Sequence, residues 1–230
     1  MKERIMVISP HPDDAELGMG GTILVLKKLG YEVSIVDLTS GEPTPYGSEE
    51  KRKKETEEAT NLMEIDERLN LGLPNRYLFD SREARLMLAE KIRAFRPEIL
   101  FCPHPEDAHP DHTAASLITT GARFYAKYTG ISFEGESHYT PRLFFYFCSH
   151  LKKSDTFSFL VDTADQFDKK IAALKCYASQ FIDNPKNRSV FEYIERRDSY
   201  FGSLIGKRYA EPFLSLEALG VVDPCCFLLK

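Results

Sequence analysis

The sequence predicts an α/β protein: a three-layer, Rossmann-like fold with a mainly parallel sheet and helices on both faces. Three observations lead there. Short apolar runs alternate with amphipathic stretches through the first half of the chain, which is the order of consecutive βαβ units. The length, 230 residues, suits one domain with a sizeable core. Hydrophobic residues at 43% and charged residues at 28% match an ordinary water-soluble domain.

Each element follows from local pattern. Residues 4–9 (RIMVIS) form an apolar run suited to a buried parallel strand. A polar turn follows at Pro10 to Asp14, and a helical pattern runs from Glu16 to Leu29, ended by Gly30. Residues 32–38 (EVSIVDL) are a second strand. Ser48 is placed to cap a helix that ends near Met63, with acidic residues in its first turn. A strand over 67–72 precedes a helix that starts at Ser81 and stops before Pro97. Residues 98–102 (EILFC) are the next strand, 103–112 a polar loop, and a helix runs from about Asp111 to Tyr128. Beyond this the pattern is less regular: strands near 142–148 and 157–162, helices near 164–179 and 189–204. With no internal repeat, low-complexity tract or linker, residues 1–230 read as a single domain.

Composition excludes several function classes. Acidic residues number 35 and basic residues 30, so no basic excess is available to neutralise a nucleic acid backbone. The opening MKERIMVISP has too short an apolar run for a secretory signal, and no segment is long enough to span a bilayer. A cytoplasmic protein is expected. Five cysteines, Cys102, Cys148, Cys176, Cys225 and Cys226, form no C-x-x-C pair and are read as unreactive thiols of a reducing compartment. No G-x-S-x-G elbow supports serine hydrolysis.

Two polar loops carry the chemistry. His11-Pro12-Asp13-Asp14 follows the first strand, and His109-Pro110-Asp111-His112 follows the strand at 98–102. Parallel sheets place ligands at the carboxyl ends of their strands. A catalytic zinc takes three protein ligands of the imidazole and carboxylate type and leaves the fourth position to water. A second carboxylate beside it can take the proton of that water. Two adjacent aspartates allow one to bind and one to act as base. Taken singly, these residues also serve as helix caps: Asp13 and Asp14 for the first helix, Asp111 for the helix after the second loop. The metal reading rests on both loops standing at strand ends and on three of the six histidines falling within 104–112.

The segment His11-Pro12-Asp13-Asp14-Ala15-Glu16 with Gly18 and Gly20-Gly21-Thr22 resembles the first signature of the LmbE-like (PIG-L) zinc N-deacetylases. His109-Pro110-Asp111-His112 resembles the second. Leu71-Gly72-Leu73-Pro74-Asn75 and Tyr209-Ala210-Glu211 are similar to the branch that includes the bacillithiol-pathway N-acetylglucosaminyl malate deacetylases. Many members read His-Pro-Asp-Asp-Glu without a break, whereas Ala15 intervenes here, as in that branch.

The resemblance implies the following. His11, Asp14 and His112 ligate zinc, although Fe2+ also suits such a set. Asp13 is the general base. His109 donates to the developing oxyanion or protonates the leaving amine, and Asp111 orients His109. Arg52 helps hold the substrate. That substrate is an N-acetylglucosaminyl conjugate, with N-acetylglucosaminyl malate first and a chitobiose-type sugar as the alternative. A homo-oligomer, such as a hexamer, is also implied.

A rival reading is a non-catalytic nucleotide- or sugar-phosphate-binding module, invited by Gly18, Gly20 and Gly21. The dinucleotide pattern needs a glycine at position 23, where Ile23 stands. The glycines are read instead as letting the first helix start close to the polar loop and its neighbours. The run 49–58 (EEKRKKETEE) reads as a solvated helix face. His104 has no assigned role, and His138 and His150 read as ordinary histidines.

Overall fold

The computed structural model describes residues 3–130, 134–150 and 156–220. Seven strands join one sheet: β1 (Arg4–Ser9), β2 (Glu32–Thr39), β3 (Glu67–Leu73), β4 (Ile99–Pro103), β5 (Arg142–Tyr146), β6 (Phe159–Asp162) and β7 (Ala210–Leu214). Their order is β3-β2-β1-β4-β5-β7-β6. The first five run parallel, and β7 is antiparallel to both β5 and β6. The helices are α1 (Asp14–Lys28), α2 (Glu49–Met63), α3 (Arg82–Phe95), α4 (Pro110–Ala126), α5 (Phe167–Cys176), α6 (Ala178–Phe181) and α7 (Val190–Leu204).

Alternation along the strands builds the three layers. Ile5 and Val7 join a core with Met19 and Ile23 of α1 and Met63 of α2. Met6 and Ile8 point the other way, into a core with Leu88 and Ile92 of α3 and Ile118 of α4. All four strand residues are fully buried, each worth roughly 1.5–3 kcal/mol of transfer free energy. Burial on both faces is why β1 reads as a continuous apolar run. The local stop and start signals act as the sequence implies. Ser48 Oγ accepts from Lys51 N at 3.2 Å and Ser81 Oγ from Ala84 N at 3.0 Å, each satisfying a free helix amide. Gly30 follows α1 with φ 89°.

Three differences from the sequence reading matter. First, α1 is not one uninterrupted helix: Met19 breaks it at φ −146°, ψ 25°. Gly18, Gly20 and Gly21 weaken the helix there, and two of them are required by packing. A Cβ on Gly18 would overlap the Tyr146 ring, and one on Gly21 would lie 2.7 Å from Thr163 Cβ. The break frees the Gly21 and Thr22 amides, which donate to Glu211 at 2.9 and 2.6 Å. It also frees Leu17 O, which accepts from Arg197 Nη2 at 2.8 Å. Second, the helix expected over 164–179 is a short 3-10 turn, Ala164–Gln166, followed by α5 and then α6. Third, β7 was not expected. Pro212 and Glu211 argue against an interior strand, yet β7 lies between β5 and β6.

The strand order reverses between β1 and β4. Neighbouring loops there diverge to opposite faces and leave a crevice, the usual ligand position of a doubly wound sheet. The His11 loop follows β1 and the His109 loop follows β4, so the crevice lies between them. Among the described residues no helix is long and apolar enough to cross a membrane. Cys102, Cys148 and Cys176 are free thiols, whereas Cys225 and Cys226 lie outside the described residues.

Candidate metal centre

The first loop is tied down by Ser9, whose hydroxyl donates to His11 O at 2.7 Å and accepts from Ala15 N at 3.2 Å. Asp13 then turns at φ 116°, a left-handed conformation unfavourable for a side chain with a Cβ. It occupies the cap position of α1 but makes no side-chain cap bond. Its carboxylate instead accepts from Arg52 Nη1 at 2.8 Å. The second loop ends in α4, with Pro110 in its first turn and His109 as its cap. His109 Nδ1 accepts from Asp111 N at 3.1 Å. Capping at α4 therefore belongs to His109 rather than Asp111, and Asp13 caps nothing with its side chain.

The two loops, far apart in sequence, meet at Asp14. Asp14 Oδ2 lies 2.8 Å from His11 Nδ1 and 3.2 Å from His112 Nε2. One donor atom from each residue falls within 4.8 Å of the others. Zinc bonds of about 2.0–2.2 Å in a tetrahedral shell separate ligand atoms by roughly 3.3–3.6 Å, so these hydrogen-bonded donors need spread by only a few tenths of an ångström to take a small divalent cation in place of the shared protons. The opposite nitrogen of His11, Nε2, lies 2.9 Å from Asp111 Oδ2. A carboxylate on the far nitrogen fixes the tautomer of a ligating imidazole and orients its ring. Asp111 also accepts from Arg76 N at 2.8 Å.

This corrects one expectation. The Asp111 carboxylate engages His11, not His109; it is the Asp111 backbone that reaches His109. Because Nδ1 of His109 accepts that amide, a neutral His109 carries its hydrogen on Nε2.

The electrostatics agree with a cation-binding cluster. Burial opposes the charged form of His11, but Asp111 and Asp14 outweigh it and raise the pKa to about 9. Burial likewise opposes His112, and Asp14 and its other neighbours raise it further still. Asp14 is pushed upward by burial but held well below the usual carboxylate range by His112 and His11. Burial lifts the Asp13 carboxyl to about 7 against the pull of Arg52. Burial and the neighbouring His112 and His11 lower His109 to about 4.

Arg52 is buried and extensively engaged. Besides Asp13, it donates to Pro12 O at 2.8 Å and Glu42 Oε1 at 3.2 Å. It lines the cavity, and its hydrogen bonds hold Asp13 and the first loop.

The donors open into a cavity of about 490 Å³, walled by Arg52, Asn75, Arg76, Gln180, Lys186 and Tyr193 among others. Arg76 and Lys186 stand exposed. Phe181 and Tyr193 are the aromatic residues lining it. A larger cavity of about 860 Å³ between α2 and β3 is lined by no histidine among the described residues, of which it shares only Arg52 and Asn75 with the first.

His150 is a second correction: it lines the first cavity, with its ring 5.5 Å from His109 and 5.7 Å from His112. Its position just past the expected strand at 142–148 was a usable signal, since ligands gather at strand ends. His138 is structural, with Nε2 2.8 Å from Pro97 O, and His104 packs against Phe147.

With this geometry established, comparison with known proteins is informative. The family described as GlcNAc-PI de-N-acetylase (PIG-L) matches residues 6–122, just over half the chain. Diacetylchitobiose deacetylase of Thermococcus kodakarensis is 27% identical over 91% of this chain and 81% of its own. A probable N-acetyl-alpha-D-glucosaminyl L-malate deacetylase 2 of Bacillus anthracis is 25% identical over 78% of this chain and 82% of its own. The crystal structure of the conserved protein TT1542 from Thermus thermophilus superposes with a TM-score of 0.87, at 41% identity, over 96% of this chain and 98% of that one.

Proposed function

The chain belongs to the GlcNAc-PI de-N-acetylase (PIG-L) family, and from that premise we propose that it is a zinc-dependent hydrolase removing the N-acetyl group from an N-acetylglucosaminyl conjugate. The observation that carries this reading is the convergence of His11, Asp14 and His112 on one point at the floor of a cavity, with Asp13 beside them. A mere binding module has no use for a buried, strained carboxylate next to three metal-type donors.

In this proposal His11 Nδ1, Asp14 and His112 Nε2 hold the metal. When bound, zinc supplies Lewis acidity and brings the pKa of its water toward ~7. Asp13, fixed by Arg52, accepts the proton of the attacking water. His109, through its Nε2 hydrogen, donates a hydrogen bond to the carbonyl oxygen as negative charge builds there. The carbon–nitrogen bond breaks, the proton held by Asp13 passes to the departing nitrogen, and acetate and a free amino sugar leave. Asp111 holds His11 in the tautomer that presents Nδ1 to the metal.

Arg76 and Lys186 on the cavity wall favour an aglycone that carries a carboxylate. N-acetylglucosaminyl malate is therefore the first substrate to test, with diacetylchitobiose as the neutral comparison. The test is acetate release by zinc-loaded protein and its Asp13→Ala variant. Release by the wild type alone supports the assignment, and the better substrate names the conjugate. No release from any conjugate by zinc-loaded protein would overturn it in favour of a binding module.

A further inference from the structure

The second loop contains a buried carboxylate that neither the family signature nor the proposed reaction uses. Asp107 has a fully buried side chain. Its Oδ1 accepts from His109 N at 2.8 Å, the two-residue turn typical of an aspartate bonding ahead along its own loop. The same Oδ1 lies 3.2 Å from His112 Nδ1. That approach is not aligned as a full hydrogen bond. His112 Nδ1 and Asp107 Oδ2 are both buried without a hydrogen-bond partner among the described residues.

The geometry mirrors the other histidine. His11 has Asp14 on Nδ1 and Asp111 on Nε2; His112 has Asp14 on Nε2 and Asp107 on Nδ1. Each ring stands between a shared ligand and a private carboxylate. We propose that Asp107 is the positioning residue of the second loop: it keeps the His112 hydrogen on Nδ1, so that Nε2 is free to ligate, and through the His109 amide it holds the turn that aims His109. This rests on the metal reading of the site. Cys148 lies in the same cluster with Asp107 and His112. A separate metal there would require His112 to give up both ring nitrogens, which a neutral imidazole cannot do.

The test is zinc affinity by competition with a chromophoric chelator, for the wild type and for Asp107→Asn, Asp107→Ala, Cys148→Ser and His112→Ala, alongside thermal unfolding of each metal-free protein. The expected result is a loss of about 10- to 100-fold in zinc affinity for Asp107→Ala. Asp107→Asn, which keeps an acceptor at Oδ1, should fall between it and the wild type and serves if the alanine variant does not fold. Histidine 15N spectra should show His112 as the Nδ1–H tautomer in zinc-loaded wild type. Wild-type zinc affinity in both Asp107 variants, with loss in His112→Ala, would overturn the positioning role and leave the metal centre standing. A lowered metal-free unfolding temperature with unchanged affinity would make Asp107 merely structural. Two zinc equivalents, one lost in both Asp107→Ala and Cys148→Ser, would make Asp107 a ligand and overturn the proposal. No zinc binding by the wild type would overturn both readings.

Discussion

Helix α1 runs between two buried polar clusters that differ in what balances their charge. At its break, Lys170 donates to Asp198 and Glu211, each at 2.6 Å, and all three side chains are fully buried. Arg197 donates to Asp198 at 2.8 Å and to Phe147 O and Leu17 O. Glu211 accepts the two amides that the break releases. Two cations face two carboxylates there, and the freed backbone groups have partners. At the N-terminal end of α1, Asp13, Asp14, Asp107 and Asp111 surround three imidazoles, with the Arg52 guanidinium held against Asp13. That cluster sets four carboxylates against one fixed cation, so its charge is balanced only while His11 and His112 carry protons, and His112 Nδ1 and Asp107 Oδ2 lie buried there without hydrogen-bond partners among the described residues. The lesson is that a network closed by fixed cations holds the chain together, while one balanced only by protonated imidazoles can exchange those protons for a bound cation.

The comparison can be broken by substitutions that should separate activity from stability. Asp13→Ala should lower kcat by about 10²–10⁴-fold, the usual contribution of a general base, and leave zinc bound. Steady-state rates with metal content measured in parallel check this; near-normal turnover would remove Asp13 as base. Lys170→Met should do the reverse. It leaves Glu211 buried without its cation, though Asp198 keeps Arg197, a loss of about 3–5 kcal/mol in urea unfolding, while any folded protein still binds zinc. If zinc binding failed with it, the two clusters would be one functional unit.

Smaller effects sharpen the contrast. Zinc at a hundred times its dissociation constant should stabilise the wild type by about 2.7 kcal/mol. Calorimetry should find the same increment in Lys170→Met if the clusters are independent. Gly18→Ala forces a Cβ into the Tyr146 ring and should cost about 1–3 kcal/mol. Ser48→Ala, which removes a cap hydroxyl bonded to neither cluster and leaves the Ser48 O–Arg52 N bond in place, should cost about 1 kcal/mol and leave acetate release unchanged.

Much of this was legible from local chemistry. The strand at 4–9, the caps at Ser48 and Ser81 and the alternation of strands with helices depend on residues close in sequence, so pattern alone located them. Both polar loops could be placed at strand ends for the same reason. Their residues by themselves did not distinguish metal ligands from caps, nor Asp13 from Asp14; the paired signatures of a known family made that assignment. The tertiary structure decided the rest. It put β7 inside the sheet despite Pro212, because pairing with β5 and β6 outweighs local preference. It broke α1 at Met19, because the Tyr146 ring and the side chains of Thr163 and Glu211 come from distant segments. It gave Asp111 to His11, Asp107 to His112 and His150 to the cavity. Periodicity and capping are properties of a few consecutive residues, whereas the partner of a buried charge is chosen by whichever strands the sheet brings beside it.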